Sequence, residues 1–353
     1  MPIRRRARRG KQVAAAVALV PFALAGAGWL YQRVSLRRDR RRFPPAGLLL
    51  SRGGRYLHLQ QQGSGRPAVV FEAGLAASSL SWARVQPLVA EFASAVSYDR
   101  AGFGWSGASL RDASLTDLLN DLLSVVEWAG GEAPVVLVAH SFGALLALGF
   151  AQRHPERVAG LVLVDPVSLA TWSDCSERNQ ERLEVGAALS RRGAWLAEFG
   201  VVRGALTLLQ HGGQRMAQEI GRRAAGLGAS TLDRLTGEVG KLPRELWPVI
   251  AAHWSRASSF RTMASALEAL PRCACELGQP VLSADMPVAI LSAAATSAEE
   301  MRERNHWLRS VRVSQHRVLE ETGHWLHLER AEEVAAAVQW CVERARVRTP
   351  QES

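Results

Sequence analysis

Short apolar runs that alternate with helical patterns constrain the fold of this chain more than any other feature. The runs cover residues 68–71, 95–98, 135–139, 161–164 and 288–291. Runs with so little polar alternation are typical of parallel strands that are buried on both faces of a sheet. A helical pattern between them follows Ser114, with Asp117 three residues on, which is typical of a capping box. The sequence therefore predicts a doubly wound, mostly parallel α/β sheet.

One long interval interrupts this alternation. From about residue 166 to residue 285 the sequence shows only helical periodicity with glycine breaks, and the interval is too long for a loop. We therefore predict a helical cap inserted into the core. Its tryptophans are expected to pack within it, although a cap facing an active site would also use them to line an apolar pocket. The predicted divisions are a leader (1–42), a core (43–165 and 286–345), the cap (166–285) and a tail (346–353).

The leader carries the excess positive charge of the chain. Residues 1–42 hold twelve of the 43 Lys and Arg residues and one of the 33 acidic residues, so the rest is nearly neutral. That distribution argues against a nucleic-acid surface. Residues 13–31 contain no charge and as a helix would span about 28 Å, close to the hydrocarbon thickness of a bilayer. We predict a transmembrane helix at about 13–31 and a single-pass membrane location.

A cleaved signal peptide is the alternative for this segment, because Ala25-Gly26-Ala27 has the small residues of a cleavage site. The apolar run is long for a signal peptide, which favours the uncleaved anchor. Six basic residues on each side leave the orientation undecided.

A serine lies where the third apolar run meets a helical pattern. Residues 139–143 read Ala-His-Ser-Phe-Gly, the pattern of a nucleophile elbow with Ala139 in place of its first glycine. The sharp turn of such an elbow requires small neighbours and exposes the hydroxyl at the amino end of a helix. We predict Ser141 as a catalytic nucleophile. The alternative is a serine that caps an ordinary helix.

Acyl transfer at Ser141 would also need a base, an orienting acid and an oxyanion hole. His324 is the predicted base, because it follows a glycine in the loop between a short strand at 317–319 and the last helix. His327 is the second candidate. The predicted oxyanion donors are the backbone N–H groups of Phe142 and Leu75.

Four motifs in this order resemble the alpha/beta-hydrolase superfamily, over residues from about 44 to 345. They are Phe-Glu-Ala-Gly-Leu at 71–75, Tyr-Asp-Arg-Ala-Gly-Phe-Gly-Trp-Ser at 98–106, the elbow at 139–143 and Gly-His at 323–324. The resemblance implies the fold of that superfamily and a structural role for the second motif at the floor of the active site. Similar enzymes often begin the oxyanion loop with His-Gly, whereas this chain has Glu72 and Ala73 before its glycine.

The position of the catalytic acid in this sequence departs from the family pattern. The resemblance implies a carboxylate soon after the strand at 288–291, but none occurs before Glu299 and Glu300. Asp165, at the end of the preceding strand, is the other candidate and keeps the order serine, acid, histidine along the chain. Asp165 is our first choice for the acid, with Glu299 or Glu300, or no acid at all, as alternatives.

No metal or organic cofactor is implied. The four cysteines, at 175, 273, 275 and 341, form no zinc pattern, and His324 and His327 alone provide too few ligands.

We therefore predict a membrane-anchored serine hydrolase of lipophilic carboxylic esters that forms an acyl-enzyme on Ser141. The alternatives are amide or lactone hydrolysis, acyl transfer or cofactor-free haloperoxidation at the same site, and a non-catalytic ligand-binding member of the superfamily. The oligomeric state stays undecided.

Overall fold

The computed structural model describes residues 2–109, 114–174, 176–210 and 240–348. Eight strands form one sheet in the order β1-β2-β4-β3-β5-β6-β7-β8. β1 and β2 are antiparallel to their neighbours, and the strands from β4 to β8 run parallel. This architecture confirms the predicted α/β class. The strands are β1 (Leu48–Arg52), β2 (Arg55–Gln62), β3 (Val69–Glu72), β4 (Ala95–Asp99), β5 (Val135–His140), β6 (Val158–Val164), β7 (Val288–Ala293) and β8 (Ser314–Leu319).

Helices cover both faces of the sheet. Because β3, β5, β6 and β7 are buried along their whole length, their apolar runs need cover on each side. α3, α4 and α9 pack on one face, while α2 and α12 pack on the other. The helices are α1 (Pro2–Arg42), α2 (Gln86–Val89), α3 (Leu115–Gly130), α4 (Phe142–Arg153), α5 (Leu169–Ser173), α6 (Glu177–Glu198), α7 (Val201–Gln210), α8 (Trp247–Trp254), α9 (Ala257–Leu277), α10 (Ala298–Trp307), α11 (Leu326–Glu329) and α12 (Ala331–Arg348).

The sheet changes its winding direction between β3 and β5. The chain leaves β3 towards β4 on one side and later returns to place β5 on the other side. Such a switch point opens a crevice at the carboxyl ends of the strands, where ligands bind in open α/β sheets. The predicted oxyanion loop follows β3 and the predicted elbow follows β5, so the fold places both at this crevice.

The described part of the segment between β6 and β7 is helical, from α5 to α9. Residues 211–239, Cys175 and residues 349–353 of the predicted tail lie outside the described residues, and the cap boundaries stay a prediction. The four cap tryptophans each have a partner: Trp172 lies under the Arg182 guanidinium, Trp247 donates to Leu242 O and Trp254 contacts the Phe260 ring. Trp195, which is 63% exposed, lies with its ring 5.0 Å from that of Phe199.

The carboxyl half of α1 packs against the inserted helices. Gln32 is buried and donates to Ser255 O at 2.6 Å, and Arg203 forms an ion pair with Asp39 at 2.8 Å. In the part of the chain that the structure describes, no helix has the length and apolar character needed to cross a membrane. On this finding the predicted transmembrane helix at 13–31, the membrane location and the membrane partner are wrong. The side chains of residues 13–19 and of residue 21 lie outside the described part of that segment.

The physical reason lies in the contacts between the end of this segment and the inserted helices. Gly28 lies so close to them that a Cβ there would be 2.5 Å from Phe199 O, and Gln32, directly after the segment, is buried against Ser255 O. Uncharged composition alone does not distinguish such packing against protein from contact with lipid.

Candidate active site

Ser141 occupies the turn between β5 and α4. Its φ of 53° lies in the left-handed region, which is uncommon for a residue with a side chain and marks a strained turn. A Cβ added at Gly143 would lie 2.6 Å from Ala73 O, so a larger residue does not fit two positions after the serine. The Ser141 side chain makes no capping hydrogen bond to α4. The structure therefore disagrees with the helix-cap alternative.

The structure brings Ser141, His324 and Asp165 together. His324 Nε2 lies 3.0 Å from Ser141 Oγ, and His324 Nδ1 lies 2.7 Å from Asp165 Oδ2. Because an ionised carboxylate only accepts hydrogen bonds, Nδ1 carries the proton and Nε2 is left to accept the serine hydroxyl. The His324 side chain is 46% exposed, which leaves it open to a substrate. The arrangement can deprotonate the serine and return that proton to a leaving group.

Asp165 is held as a carboxylate. It follows β6 with a φ of 42°, and its side chain is mostly buried. Burial alone would raise the pKa of Asp165, but the hydrogen bond from His324 and the charge of Arg304 outweigh burial and lower that pKa to about 2. The carboxylate is therefore available to orient His324 throughout the neutral pH range.

The other candidate acids begin α10. Glu300 closes a capping box with Ser297, whose backbone N–H donates to Glu300 Oε2 at 2.9 Å. Glu299 is exposed in the same first turn. The structure does not bring either glutamate to His324, whose Nδ1 donates to Asp165 instead.

His327, the second candidate base, is fully buried behind the site. Its Nε2 lies 3.2 Å from Ser81 Oγ, and its ring packs 4.2 Å from that of His140. Burial places the pKa of His327 well below its ordinary value, and the neighbouring histidines add to this effect. Such a side chain does not reach a substrate. His140 itself donates from Nε2 to the backbone oxygen of His324 at 2.9 Å, which fastens the loop of the candidate base.

Arg100 holds the loop after β3 in place. Its motif, at 98–106, was predicted to have only a general structural role, and this residue was not singled out. Its guanidinium donates to the carbonyl oxygens of Ala73, at 2.5 Å, and Gly74. In a trans peptide the carbonyl and the N–H point in opposite directions, so binding Gly74 O aims the Leu75 N–H away from Arg100. Within the described residues, neither the Leu75 nor the Phe142 N–H has an acceptor. Both groups are therefore free to stabilise an oxyanion.

Glu72 holds Arg100 in turn. The Glu72 carboxylate is fully buried and accepts hydrogen bonds from Tyr98 and Arg100. Burial raises the pKa of Glu72, and the Arg100 charge opposes that shift. Gly74 completes the loop, because a Cβ there would lie 2.8 Å from His140 Nδ1. Glu72, one of the two residues that precede the loop glycine, is thus part of the buried support of the loop backbone.

Replacing Arg100 with methionine is expected to lower kcat by about 10²–10³-fold, the usual cost of losing one oxyanion donor. Arg100→Lys keeps the charge near Glu72 but loses the fork that binds two carbonyls, so we expect a smaller loss of kcat with a nearly unchanged melting temperature. Ester hydrolysis and thermal unfolding of both variants test this. A wild-type kcat in folded Arg100→Met would contradict the role of Arg100 in positioning the Leu75 N–H.

Acid is expected to destabilise the fold through buried histidines. Burial lowers the pKa of His140 and of His253 to about 3, from an ordinary value of 6.5. Since the unfolded chain binds these protons near pH 6.5, stability is full above that pH and falls as the pH drops towards 3. We expect each histidine to reduce the free energy of unfolding by about 2 kcal/mol between pH 7 and pH 5.

Urea unfolding at the two pH values measures this difference. Neither ring nitrogen of His253 has a partner among the described residues, so His253→Leu should reduce the difference. The exposed His306 provides the control, since His306→Ala should leave it unchanged. Equal losses of stability in wild type and His253→Leu would contradict the assignment.

Metal ligands are not grouped in the described residues: no three His, Cys, Asp or Glu side chains there are placed to hold an ion. Burial raises the pKa of the Cys273 thiol to about 11 and that of Cys341 to about 12. Both thiols are free and stay protonated near neutral pH.

The sheet order, the elbow and the loops around it define an alpha/beta hydrolase. The sequence profile of the alpha/beta hydrolase family matches residues 69–337, and the chain belongs to this family. Over 123 residues it is 32% identical to a haloalkane dehalogenase of Mesorhizobium japonicum, a match that covers 35% of this chain and 40% of that protein.

Two solved structures share the fold. A haloalkane dehalogenase from Bradyrhizobium elkani superposes with a TM-score of 0.59 at 16% identity, covering 86% of this chain and 99% of that one. An enol-lactonase from Burkholderia xenovorans superposes with a TM-score of 0.56 at 16% identity, covering 84% of this chain and 100% of that one. The chain spans less than half the length of the curated relatives it matches first.

Proposed function

We propose that this protein is a serine hydrolase that cleaves small-molecule carboxylic esters. The observation that carries the proposal is the hydrogen-bonded series from Ser141 Oγ through His324 to Asp165, at 3.0 and 2.7 Å. A serine, a base and an orienting acid in this geometry are the requirements for nucleophilic acyl transfer. The partly exposed base and the two free N–H groups of the crevice support the same reaction.

In the proposed mechanism, Ser141 Oγ attacks the ester carbonyl while His324 Nε2 takes the hydroxyl proton. The Leu75 and Phe142 N–H groups stabilise the oxyanion, and the amino end of α4 adds its dipole. His324 then gives the proton to the leaving alcohol, which leaves an acyl group on Ser141. Water, deprotonated by His324, releases the acid and restores the serine. Asp165 keeps the His324 proton on Nδ1 throughout.

The identity of the nucleophile argues for a carbonyl substrate over an alkyl halide. A serine that displaced a halide from a saturated carbon would form an ether, which water does not cleave at this site. An acyl-serine, by contrast, is an ester that a histidine-activated water hydrolyses. The name of the dehalogenase relative therefore does not transfer to this chain, whereas lactones, as cyclic esters, fit the proposed reaction.

A lipophilic substrate is proposed from the surroundings of the site. Leu75 belongs to the oxyanion loop, Val167 follows Asp165 by two residues and Trp325 follows His324 directly; all three are half-buried apolar residues. Partly exposed apolar side chains around a polar centre are typical of small-molecule sites. The non-catalytic alternative rested on a missing acid, and the contact between Asp165 and His324 weakens it.

A fluorophosphonate probe and a series of p-nitrophenyl esters from acetate to laurate test this function. We expect the wild-type protein to be labelled and to hydrolyse the esters, with a preference for chains longer than acetate. Ser141→Ala should lose the label. An intact, folded wild-type protein that neither labels nor hydrolyses any ester, while a control esterase does both, would overturn the proposal.

A further inference from the structure

The space after β7, where the family resemblance implies the acid, is filled by an arginine. Arg304 extends from α10, and only 3% of its side chain is exposed. Its Nη1 lies 2.9 Å from Asp165 Oδ1 and 2.6 Å from Ser292 Oγ, and its Nη2 donates to Pro166 O at 2.7 Å. Asp165 thus follows the end of β6, whereas its partner Arg304 comes from α10, the helix after β7.

The two oxygens of the Asp165 carboxylate have separate partners. Oδ1 accepts from Arg304 and, at 3.3 Å, from the Ala293 N–H, while Oδ2 accepts from His324. Because a carboxylate is planar, fixing Oδ1 also fixes the direction of Oδ2. The guanidinium fork, anchored at the same time to Pro166 O, therefore aims Oδ2 at the base.

A second group of hydrogen bonds connects Arg304 to Ser292, His316 and Asn305. Ser292 Oγ accepts from Arg304 and lies 2.7 Å from His316 Nε2, whose Nδ1 lies 2.7 Å from Asn305 Oδ1. Because Asn305 Oδ1 can only accept, the proton of a neutral His316 lies on Nδ1, and Nε2 accepts from the Ser292 hydroxyl. Burial, with the Arg304 charge, lowers the pKa of His316 to about 4. Arg304 is therefore the one charged member of this support.

We propose that Arg304 is the positioning residue of the triad: it holds Asp165 in line with His324 and offsets part of the charge of the Asp165 carboxylate. This inference rests on the proposed function. A buried positive charge lies beside Asp165, and its removal would leave the full charge of the carboxylate facing His324.

The other titratable groups that face the triad from the described residues do not add a second positive charge beside Asp165. His140 and His327 face His324 from β5 and α11, and burial lowers the pKa of each below the neutral range. Glu303, from α10, accepts from the Ala170 N–H at 2.9 Å. Glu300 is engaged in the cap of its own helix.

The test compares Arg304→Met, Arg304→Lys and the control Arg302→Met, an exposed position on the same helix. The pH dependence of kcat/KM and the low-field NMR signal of the His324 Nδ1 proton are measured for each. We expect Arg304→Met to move the acidic limb of the profile and the NMR midpoint to higher pH by about one unit. Its kcat should also fall about tenfold or more.

Arg304→Lys should keep the pH limb near its wild-type position, because the charge remains, but should lower kcat, because one ammonium does not reproduce the fork. Arg302→Met should change neither. An unmoved limb in folded Arg304→Met overturns the inference; if that variant does not fold, wild-type kcat in Arg304→Lys overturns it instead. The NMR titration needs no substrate, so a protein without ester activity fails the proposed function while the NMR result still decides the role of Arg304.

Discussion

Replacing Ser141 with alanine is expected to lower kcat for ester hydrolysis by about 10⁴–10⁶-fold. The substitution removes the oxygen that lies 3.0 Å from His324 Nε2 and that would form the acyl-enzyme. KM should change little, because the substrate pocket and the oxyanion donors are untouched. Steady-state kinetics on the best ester of the series, together with mass spectrometry for the acyl-enzyme, measure the effect.

The exposed Ser51 in β1 provides a matched control, since Ser51→Ala removes a hydroxyl far from the site and should keep full activity. Ser141→Ala should retain a small rate above that of water, because the oxyanion donors still act on bound ester. If Ser141→Ala kept more than about a tenth of wild-type kcat with no second esterase in the preparation, catalysis would not depend on this serine.

Replacing Asp165 with asparagine is expected to lower kcat by about 10⁴-fold at neutral pH. The asparagine amide can donate to Nδ1, which moves the histidine proton to Nε2 and prevents His324 from accepting the Ser141 proton. The loss of the charge opposite the buried Arg304 adds a cost in stability, so thermal unfolding is measured beside the kinetics. A pH profile distinguishes lost catalysis from unfolding.

Glu299→Gln and Glu300→Gln are the controls, because these were the alternative acids. Both should keep kcat near the wild-type value, and Glu300→Gln should cost at most about 1 kcal/mol through the weakened capping box. A large loss in either glutamate variant, with Asp165→Asn near wild type, would move the acid to the start of α10.

The local sequence pattern was sufficient to predict much of the fold. The apolar runs at 135–139 and 288–291 became β5 and β7, and Ser114 and Asp117 form the predicted capping box. These features depend on residues that are close in sequence, so their spacing carries the information. The membrane helix was wrong although it rested on the same kind of pattern. Among the described residues no helix is long and apolar enough to span a bilayer, and the carboxyl half of α1 packs against the inserted helices.

The long-range contacts of the site were only partly predictable: Asp165 was the first choice for the acid, with alternatives left open, and Arg304 was not predicted. Asp165 contacts His324 across 159 positions of sequence, and Arg304 reaches Asp165 across 139. Periodicity and motif spacing say nothing about such pairs. The clamp of Arg100 on the carbonyls of Ala73 and Gly74 is of the same kind, and its only signal was a family motif of general structural role.

The sequence alone was enough to determine the fold class and to single out Ser141 and His324, because an elbow and a glycine-preceded loop histidine are local features with local steric requirements. Only the tertiary structure decided which carboxylate meets the histidine and which arginines hold the carboxylate and the oxyanion loop. That choice depends on how the ends of β6, β7 and β8 meet at one edge of the sheet, and on which buried charges find partners there. The energy of a buried charge is set by its neighbours in space, which the order of residues does not specify.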